Sequence, residues 1–282
     1  MHRLNCLPIR SLLIIAAACT ILDGIERAHA QDARGRPTTF NPPGNELETD
    51  RDSFTPATST VGTSRVIVES SYSFIANRNV PDANSVPELL VRTGITDRFE
   101  IRLGWNYEAG GPTGAVSGSD LGDEDFVTEK ESRVLYGFKF EQNQQSGWIP
   151  ESSVILEGYT PTSGPSTFSR LVLAEVFGWN LPNGWQWNSS LRFGLNDNRV
   201  DSFNQWAPST VLKIPLNDRW AVHAEYFGVV TSGREPSTSQ QYISFGGHVL
   251  LTPNFELGGR FGFGLNEQTA KFFNNIGFGW RF

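Results

Sequence analysis

The chain has 282 residues, and its formal net charge of −7 argues against nucleic acid as a partner. Beyond the N-terminus it has no apolar stretch of the roughly twenty residues that a membrane-spanning helix requires, which excludes a helical membrane protein. The 20 Phe, 8 Trp and 28 Gly are typical of short strands with one apolar face.

The first thirty residues have the pattern of an export signal. Arg3 and Arg10 form a short positive region, and residues 11–22 are an apolar run too short to span a bilayer. Small residues at positions 28 and 30 predict signal cleavage between Ala30 and Gln31. Both cysteines, Cys6 and Cys19, lie inside this signal, so the exported chain has no disulfide framework.

Residues 31–63 are rich in Pro, Thr, Asn and Asp and show no hydrophobic period. This composition predicts a disordered or loosely attached periplasmic segment. The alternative is a plug that folds into the lumen of a barrel.

From residue 64 onward apolar and polar residues alternate. Phe99, Ile101 and Leu103, for example, alternate with Glu100 and Arg102, as expected of a strand with one apolar face. Such segments number about twelve, near 64–77, 85–96, 98–108, 131–143, 150–160, 167–180, 185–197, 203–215, 219–231, 240–251, 255–266 and 271–282.

Alternation alone does not distinguish a secreted β-sandwich from a membrane barrel. Two features favour the barrel: Trp and Tyr recur near strand ends, and tight turns alternate with longer connections. The chain also stops inside an alternating strand that carries Phe278, Trp280 and Phe282, which resembles the recognition signal of outer-membrane barrels. One residue fits badly: Glu175 shares the parity of the apolar face, which predicts either a β-bulge or a misplaced boundary.

The fold class predicted for residues 64–282 is therefore all-β, a transmembrane antiparallel up-and-down β-barrel of about twelve strands in the bacterial outer membrane. The expected partners are outer-membrane lipid, the barrel-assembly machinery and a small-molecule solute. The last strand is expected to pair with the first near Ser64, since lipid leaves no strand edge unpaired.

A hairpin signature runs from Val86 to Asn106, with VPELLVR leading into TGITDRFEIRLGWN. It resembles a bacterial outer-membrane family named for the meta-pathway of phenol degradation and usually described as transporter-like. Looser matches follow at residues 137–139, 216–220, 225–228, 250–254 and 264–266, so the resemblance covers roughly residues 64–282. It implies a channel for small solutes, aromatic or hydrophobic ones among them.

Charged and polar side chains share the inward parity of the predicted strands. The candidate lumen residues are Glu88, Arg92, Glu100, Arg102, Lys139, Glu141, Arg192, His223, Glu225 and Arg260. Charges lining a pore set its selectivity. Equally, opposite charges could pair across strands and brace a narrow, mostly filled barrel.

Catalytic and metal chemistry find little support in the sequence. Only His223 and His248 remain after the signal, whereas a zinc site needs three or four suitably spaced ligands. No Ser–His spacing indicates a nucleophile with its base. We therefore expect neither a metal, nor a cofactor, nor enzyme activity. The leading hypothesis is a porin for passive passage of small solutes, and the alternative is a structural barrel that displays surface loops without transport.

Overall fold

The computed structural model of the chain describes residues 47–111, 130–197, 202–233 and 237–282. The predicted signal peptide and its cleavage site at Ala30 and Gln31 lie outside these residues. The described part contains twelve strands: β1 (Val66–Ala76), β2 (Ala83–Thr96), β3 (Phe99–Gly110), β4 (Lys130–Asn143), β5 (Glu151–Ser163), β6 (Arg170–Asn180), β7 (Gln186–Asp197), β8 (Ser202–Pro215), β9 (Trp220–Ser232), β10 (Ser239–Thr252), β11 (Phe255–Gly264) and β12 (Phe272–Arg281). Each corresponds to one predicted segment, with ends within three residues. No helix among the described residues has the length and hydropathy of a membrane span.

The strands form one closed antiparallel ring. Each pairs with its neighbours in sequence, and β1 pairs with β12. Two hydrogen bonds complete the seam: Phe282 N donates to Val66 O at 2.8 Å, and Val66 N donates to Phe282 O at 3.3 Å. The predicted up-and-down barrel of twelve strands is confirmed, and closure gives every edge strand a partner.

The two rims of the barrel differ in what they carry. The turn end holds the start of β1, the end of β12 and the connections 97–98, 144–150, 181–185, 216–219 and 253–254. The loop end holds the other six connections. The predicted alternation of short and long connections is weaker than expected, because 144–150 is as long as the loop-end connection 265–271.

Burial in the wall is the inverse of that in a soluble protein. In β3, Ile101 and Leu103 are 42% and 54% exposed, whereas Glu100 and Arg102 are 0% and 2% exposed. Tyr136, Leu173 and similar apolar side chains form the outer face on other strands. An apolar outside and a charged inside suit a barrel surrounded by lipid, and they exclude a sandwich with an apolar core.

Glu175 lies on this outer face. It pairs with Val154 of β5 and Leu191 of β7, and neither ladder shifts register. The expected bulge or boundary error is therefore wrong, and the carboxyl projects outward between Leu173 and Phe177. A Glu on the lipid face costs less than a Lys or Arg at the same depth.

Residues 47–61, here named the lumen segment, pack inside the barrel. Residues 49–58 are all buried. Leu47 and Val61, at the two ends, pack with Ile67 near the turn end, whereas Phe54 packs further toward the loop end. For residues 47–61 the expectation of a disordered or loosely attached segment is therefore wrong, and the plug considered as its alternative is what the structure has. Residues 31–46 lie outside the described part of the chain.

A lumen of this size explains why such a segment fits. Eight-stranded barrels are filled by their own side chains, whereas porins of about sixteen to eighteen strands leave a channel of water. Twelve strands leave a space between these cases, and the lumen segment occupies it. Gly279 of β12 marks the fit, because a Cβ there would lie 2.2 Å from Cγ2 of Thr49.

Candidate functional site

A group of buried charges crosses the lumen near the turn end. This charged tier consists of Asp50 of the lumen segment and six wall residues: Glu69, Arg92, Glu100, Arg102, Lys139 and Glu157. The wall residues come from β1 to β5, where the inward parity of adjacent strands brings their side chains side by side. The tier thus joins five strands to one segment.

Asp50 is the centre of this tier. Its Oδ2 lies 2.6 Å from Arg102 Nη1 and 3.6 Å from Arg92 Nε, and its Oδ1 lies 3.5 Å from Lys139 Nζ. Arg102 also contacts Glu100 at 2.8 Å and Glu157 at 2.7 Å. Buried charges require such partners, because removal from water costs several kcal/mol per ion.

Arg92 holds together the two arms of the lumen segment, the entering arm of residues 47–53 before the tip and the returning arm of residues 56–61 after it. It pairs with Glu69 at 3.1 Å and Glu100 at 2.9 Å. Its two terminal nitrogens donate to the backbone carbonyls of Glu48, at 2.9 Å, and Ser59, at 3.1 Å. The guanidinium presents several donors in a fixed fork, so one side chain can hold two chain segments together.

Further polar contacts fix the entering arm. Asp52 accepts a hydrogen bond from Lys213 Nζ at 2.9 Å and lies 3.5 Å from His248 Nδ1. Thr49 Oγ1 donates to Glu256 Oε1 at 2.7 Å. These contacts tie the segment to β8, β10 and β11, opposite the charged tier.

Glu225 receives the tip of the segment. Its carboxylate accepts hydrogen bonds from the backbone nitrogens of Phe54, at 3.0 Å, and Thr55, at 2.7 Å. It also pairs with Arg260 at 3.1 Å. The wall thereby supplies acceptors to a stretch of backbone that has no strand or helix partner, as buried amides require.

Beyond Glu225 lies an aromatic tier, made of Phe54 and three wall residues, Phe227, Tyr242 and Phe273. The Phe54 and Phe227 rings stack with centroids 4.4 Å apart, and Phe227 stacks on Tyr242 at 4.9 Å. The guanidinium carbon of Arg192 lies 4.3 Å from the centroid of Phe54, a cation–π geometry.

The lumen is closed at both tiers. A water-filled pore would leave its lining side chains exposed, yet Arg92, Lys139 and Phe227 are at most 1% exposed. A cavity of about 200 Å³ lies on the turn-end side of the charged tier. It is lined by the lumen segment and by residues at the barrel rim, Arg65, Glu151 and Arg281.

Residues 49–282 match the sequence profile of a family described as "Putative MetA-pathway of phenol degradation". The chain belongs to this family. The match includes most of the lumen segment as well as the barrel. Comparison with curated proteins gives no match for this chain.

Solved structures extend the comparison to the fold. An outer-membrane channel from Pseudomonas putida is 10% identical, with a TM-score of 0.52 over 84% of this chain and 100% of that one. The NanC porin is 9% identical, with a TM-score of 0.51 over 76% of this chain and 98% of that one. At such identity the likeness shows the fold alone. Family and fold together place this chain among outer-membrane β-barrels.

The structure buries nine of the ten predicted lumen residues inside this barrel. They are Glu88, Arg92, Glu100, Arg102, Lys139, Arg192, His223, Glu225 and Arg260. Glu141 is only half-buried near the turn end, and none of the described ion pairs includes it. Phe278, Trp280 and Phe282 lie on the outer face, 37%, 49% and 62% exposed. Their recognition by the assembly machinery stays a prediction.

The ten candidate lumen residues leave out the lumen segment itself and four charged wall partners, which are Glu69, Glu157, Lys213 and Glu256. Asp50, Asp52 and Phe54 lie in a stretch without period, where alternation gives no signal. The sequence did contain one signal of a filled lumen. Strand parity turns Phe227 and Tyr242 inward, and inward-facing aromatic rings are unexpected in a water-filled lumen.

His223 is accommodated by a glycine rather than by a ligand. A Cβ on Gly246 of the adjacent strand would lie 2.6 Å from the imidazole. Within the described part of the chain, no group of three or more His, Cys, Asp or Glu side chains is arranged to hold a metal ion.

Proposed function

We propose that the protein is a passive outer-membrane channel for small solutes, and that the lumen segment is its gate. In the closed state the segment fills the lumen and neutralises wall charges. In the open state it leaves toward the turn end, and the charged wall becomes the lining of a hydrated path. Solutes then cross without energy input, aromatic or hydrophobic ones among them, as the family resemblance implies.

The observation that carries the proposal is that the barrel wall facing the lumen segment is lined with charged side chains. A barrel that only needed filling could do so with apolar side chains, which are often as stabilising as buried ion pairs or more so. Here Arg92, Arg102 and Lys139 meet the carboxylate of Asp50, which belongs to a segment outside the β-sheet. Charges on a wall are stable without that segment only when water replaces it.

The path of the segment favours its removal as a unit. Leu47 and Val61 both lie near the turn end, so the loop between them can withdraw without threading through the barrel. The cavity of about 200 Å³ adjoins both arms there and gives space for the first displacement. In outer-membrane barrels the short turns face the periplasm, so the gate would open to that side.

The alternative is a structural barrel that presents its loop end and conducts nothing. The closed lumen fits this function too. Neighbours in structure are a channel and a porin, which supports the channel by fold analogy only.

Purified full-length protein in a planar bilayer separates the two functions. The channel predicts discrete conductance steps and uptake of small solutes by proteoliposomes. Absence of both conductance and uptake, in protein whose folding is shown by heat-modifiable gel migration, would leave the structural alternative.

The lining charges can be tested in the same bilayer. Arg92→Ser together with Arg102→Ser removes two positive charges from the wall, so selectivity should shift toward cations. Arg98→Ser, in the exposed turn between β2 and β3, removes one charge outside the lumen and should leave the reversal potential unchanged. An unchanged reversal potential in the double variant would contradict a path along the charged tier.

A further inference from the structure

The ring of Phe54 occupies a slot that the wall itself forms. On one side the ring of Phe227 stacks against it at 4.4 Å and an interplanar angle of 13°. On the other side the guanidinium carbon of Arg192 lies 4.3 Å from its centroid. Phe54 is 0% exposed, so a flat aromatic ring fills this slot completely.

The slot remains when the lumen segment leaves, because its other parts belong to β7, β9, β10 and β12. Phe227 stacks on Tyr242 at 4.9 Å, and both contact the ring of Phe273 in edge-on geometry at 6.0 and 5.9 Å. These mutual contacts hold the aromatic wall in place without Phe54.

Arg192 adds a requirement for an acceptor. It is 3% exposed, and among the described residues it forms no ion pair. Its described hydrogen bond goes from Nη2 to the backbone carbonyl oxygen of Phe54. When the segment leaves, this buried guanidinium loses its acceptor, which favours a ligand that brings a negative charge beside a ring.

We propose that the slot between Phe227 and Arg192 is a binding site for aromatic carboxylates, and that Phe54 is its internal competitor. The aryl ring takes the place of the Phe54 ring, and the carboxylate of the ligand gives Arg192 the acceptor that the withdrawn Phe54 carbonyl no longer provides. A bound solute and a docked tip exclude each other, so binding favours the open gate. This deepens the proposed function and rests on the same segment moving.

Calorimetric titration of the detergent-solubilised full chain tests the site. In Phe54→Ala the slot is vacant, so benzoate should bind at least tenfold more tightly than to the wild type. Two matched probes dissect the contacts: cyclohexanecarboxylate keeps the charge without the π-system, and benzamide keeps the ring without the charge. Both should bind at least tenfold more weakly than benzoate.

Two further variants show whether a change in benzoate affinity comes from the slot and from Arg192. Phe54→Leu keeps apolar bulk at the tip and should show a smaller gain in benzoate affinity than Phe54→Ala. Adding Arg192→Gln to Phe54→Ala should abolish the preference for benzoate over benzamide. Heat-modifiable migration on a gel shows that each barrel is folded.

Equal benzoate affinity in wild type and Phe54→Ala would overturn the site, as would equal affinity for benzoate and cyclohexanecarboxylate. Because the readout is equilibrium binding, it is independent of conductance. Benzoate binding without conductance would support the site and contradict the channel function. Conductance without tighter benzoate binding in Phe54→Ala would contradict only the site.

Discussion

The two tiers of the lumen hold the same segment by different physical means. Around Asp50 the wall offers six charged side chains from β1 to β5 in a network of ion pairs. Around Phe54 it offers rings from β9, β10 and β12 in stacked and edge-on contact. The charged tier lies near the turn end, and the aromatic tier lies toward the loop end.

The difference separates what water can replace from what it cannot. Charged side chains released from their partners are rehydrated, so the charged tier can exist in an open, wet lumen. Aromatic rings that become exposed gain no comparable hydration energy, because they are stabilised by burial of their apolar surface away from water. The charged tier therefore suits a path for solutes, and the aromatic tier suits a site that keeps some ring bound.

The largest effect is expected from breaking the charged tier. Arg92→Met leaves Glu69 and Glu100 short of a buried partner and releases the carbonyls of Glu48 and Ser59. Removing one partner of a buried ion pair costs about 3–5 kcal/mol. Hydrogen exchange of the amides of residues 50–58 measures this as a loss of protection. Arg98→Met, on the exposed turn, is the control and should change protection by less than about 0.5 kcal/mol.

Breaking the aromatic tier alone should cost somewhat less. Phe54→Ala removes a fully buried ring, a change worth about 3 kcal/mol in well-packed sites. The loss should fall on the amides near the tip, with the strands of the barrel unaffected. Phe261→Ala removes a ring of the same size from the outer face, where it is 46% exposed. If both variants lowered protection of the segment equally, the tip would not be docked as described.

A smaller effect tests the fit of Thr49 against Gly279, which pairs with Glu69 at the level of the charged tier. Gly279→Ala places a methyl group 2.2 Å from Thr49 Cγ2, so Thr49 must shift and weaken its hydrogen bond to Glu256. We expect a loss of about 1 kcal/mol in segment protection. Gly259→Ala is the matched control, because its Cβ meets nothing closer than 3.5 Å. A similar loss in both variants would show that strand glycines matter only for the sheet.

The smallest effect concerns Thr63, which follows the lumen segment in the chain. The side-chain and backbone donors of Thr63 hydrogen bond to Asp97 and lower the pKa of this exposed carboxyl below its usual value. A carboxyl with a lowered folded pKa stabilises the fold above its unfolded pKa, and this is lost as the pH falls through the folded value. The amide chemical shift of Thr63 should therefore titrate in acid. In Asp97→Asn this titration should vanish, and its persistence would exclude Asp97 as the cause.

Much of the wall was predictable because strand parity is a local property. The alternation around Glu100 and Arg102 fixes the inner and outer faces without knowledge of the partner strand. The same parity places Glu175 outward, and the structure keeps it there rather than inserting a bulge. Closure between β1 and β12 also followed, since a barrel in lipid leaves no edge unpaired.

The lumen segment was not predictable by the same means. Asp50 and Phe54 owe their positions to residues far away in sequence, and the segment has no periodic structure of its own. The hydrogen bond from Phe54 N to Glu225 spans 171 positions. The composition of the segment alone predicts a loose segment there. It contains no information about the charged and aromatic side chains of the barrel wall that the segment contacts.

The central claim, that residues 47–61 close the lumen, can be tested by locking them. A Cβ on Gly279 would lie 3.7 Å from the Cβ of Thr49, which is within the range of disulfide geometry. With Cys6 and Cys19 in the predicted signal, Thr49→Cys with Gly279→Cys provides a single cysteine pair in residues 31–282. In a planar bilayer we predict conductance in reductant, silence after oxidation, and recovery when reductant is restored, with the wild type insensitive to both treatments. Equal conductance of the oxidised and reduced pair, with the cross-link verified by mass, would contradict the gate.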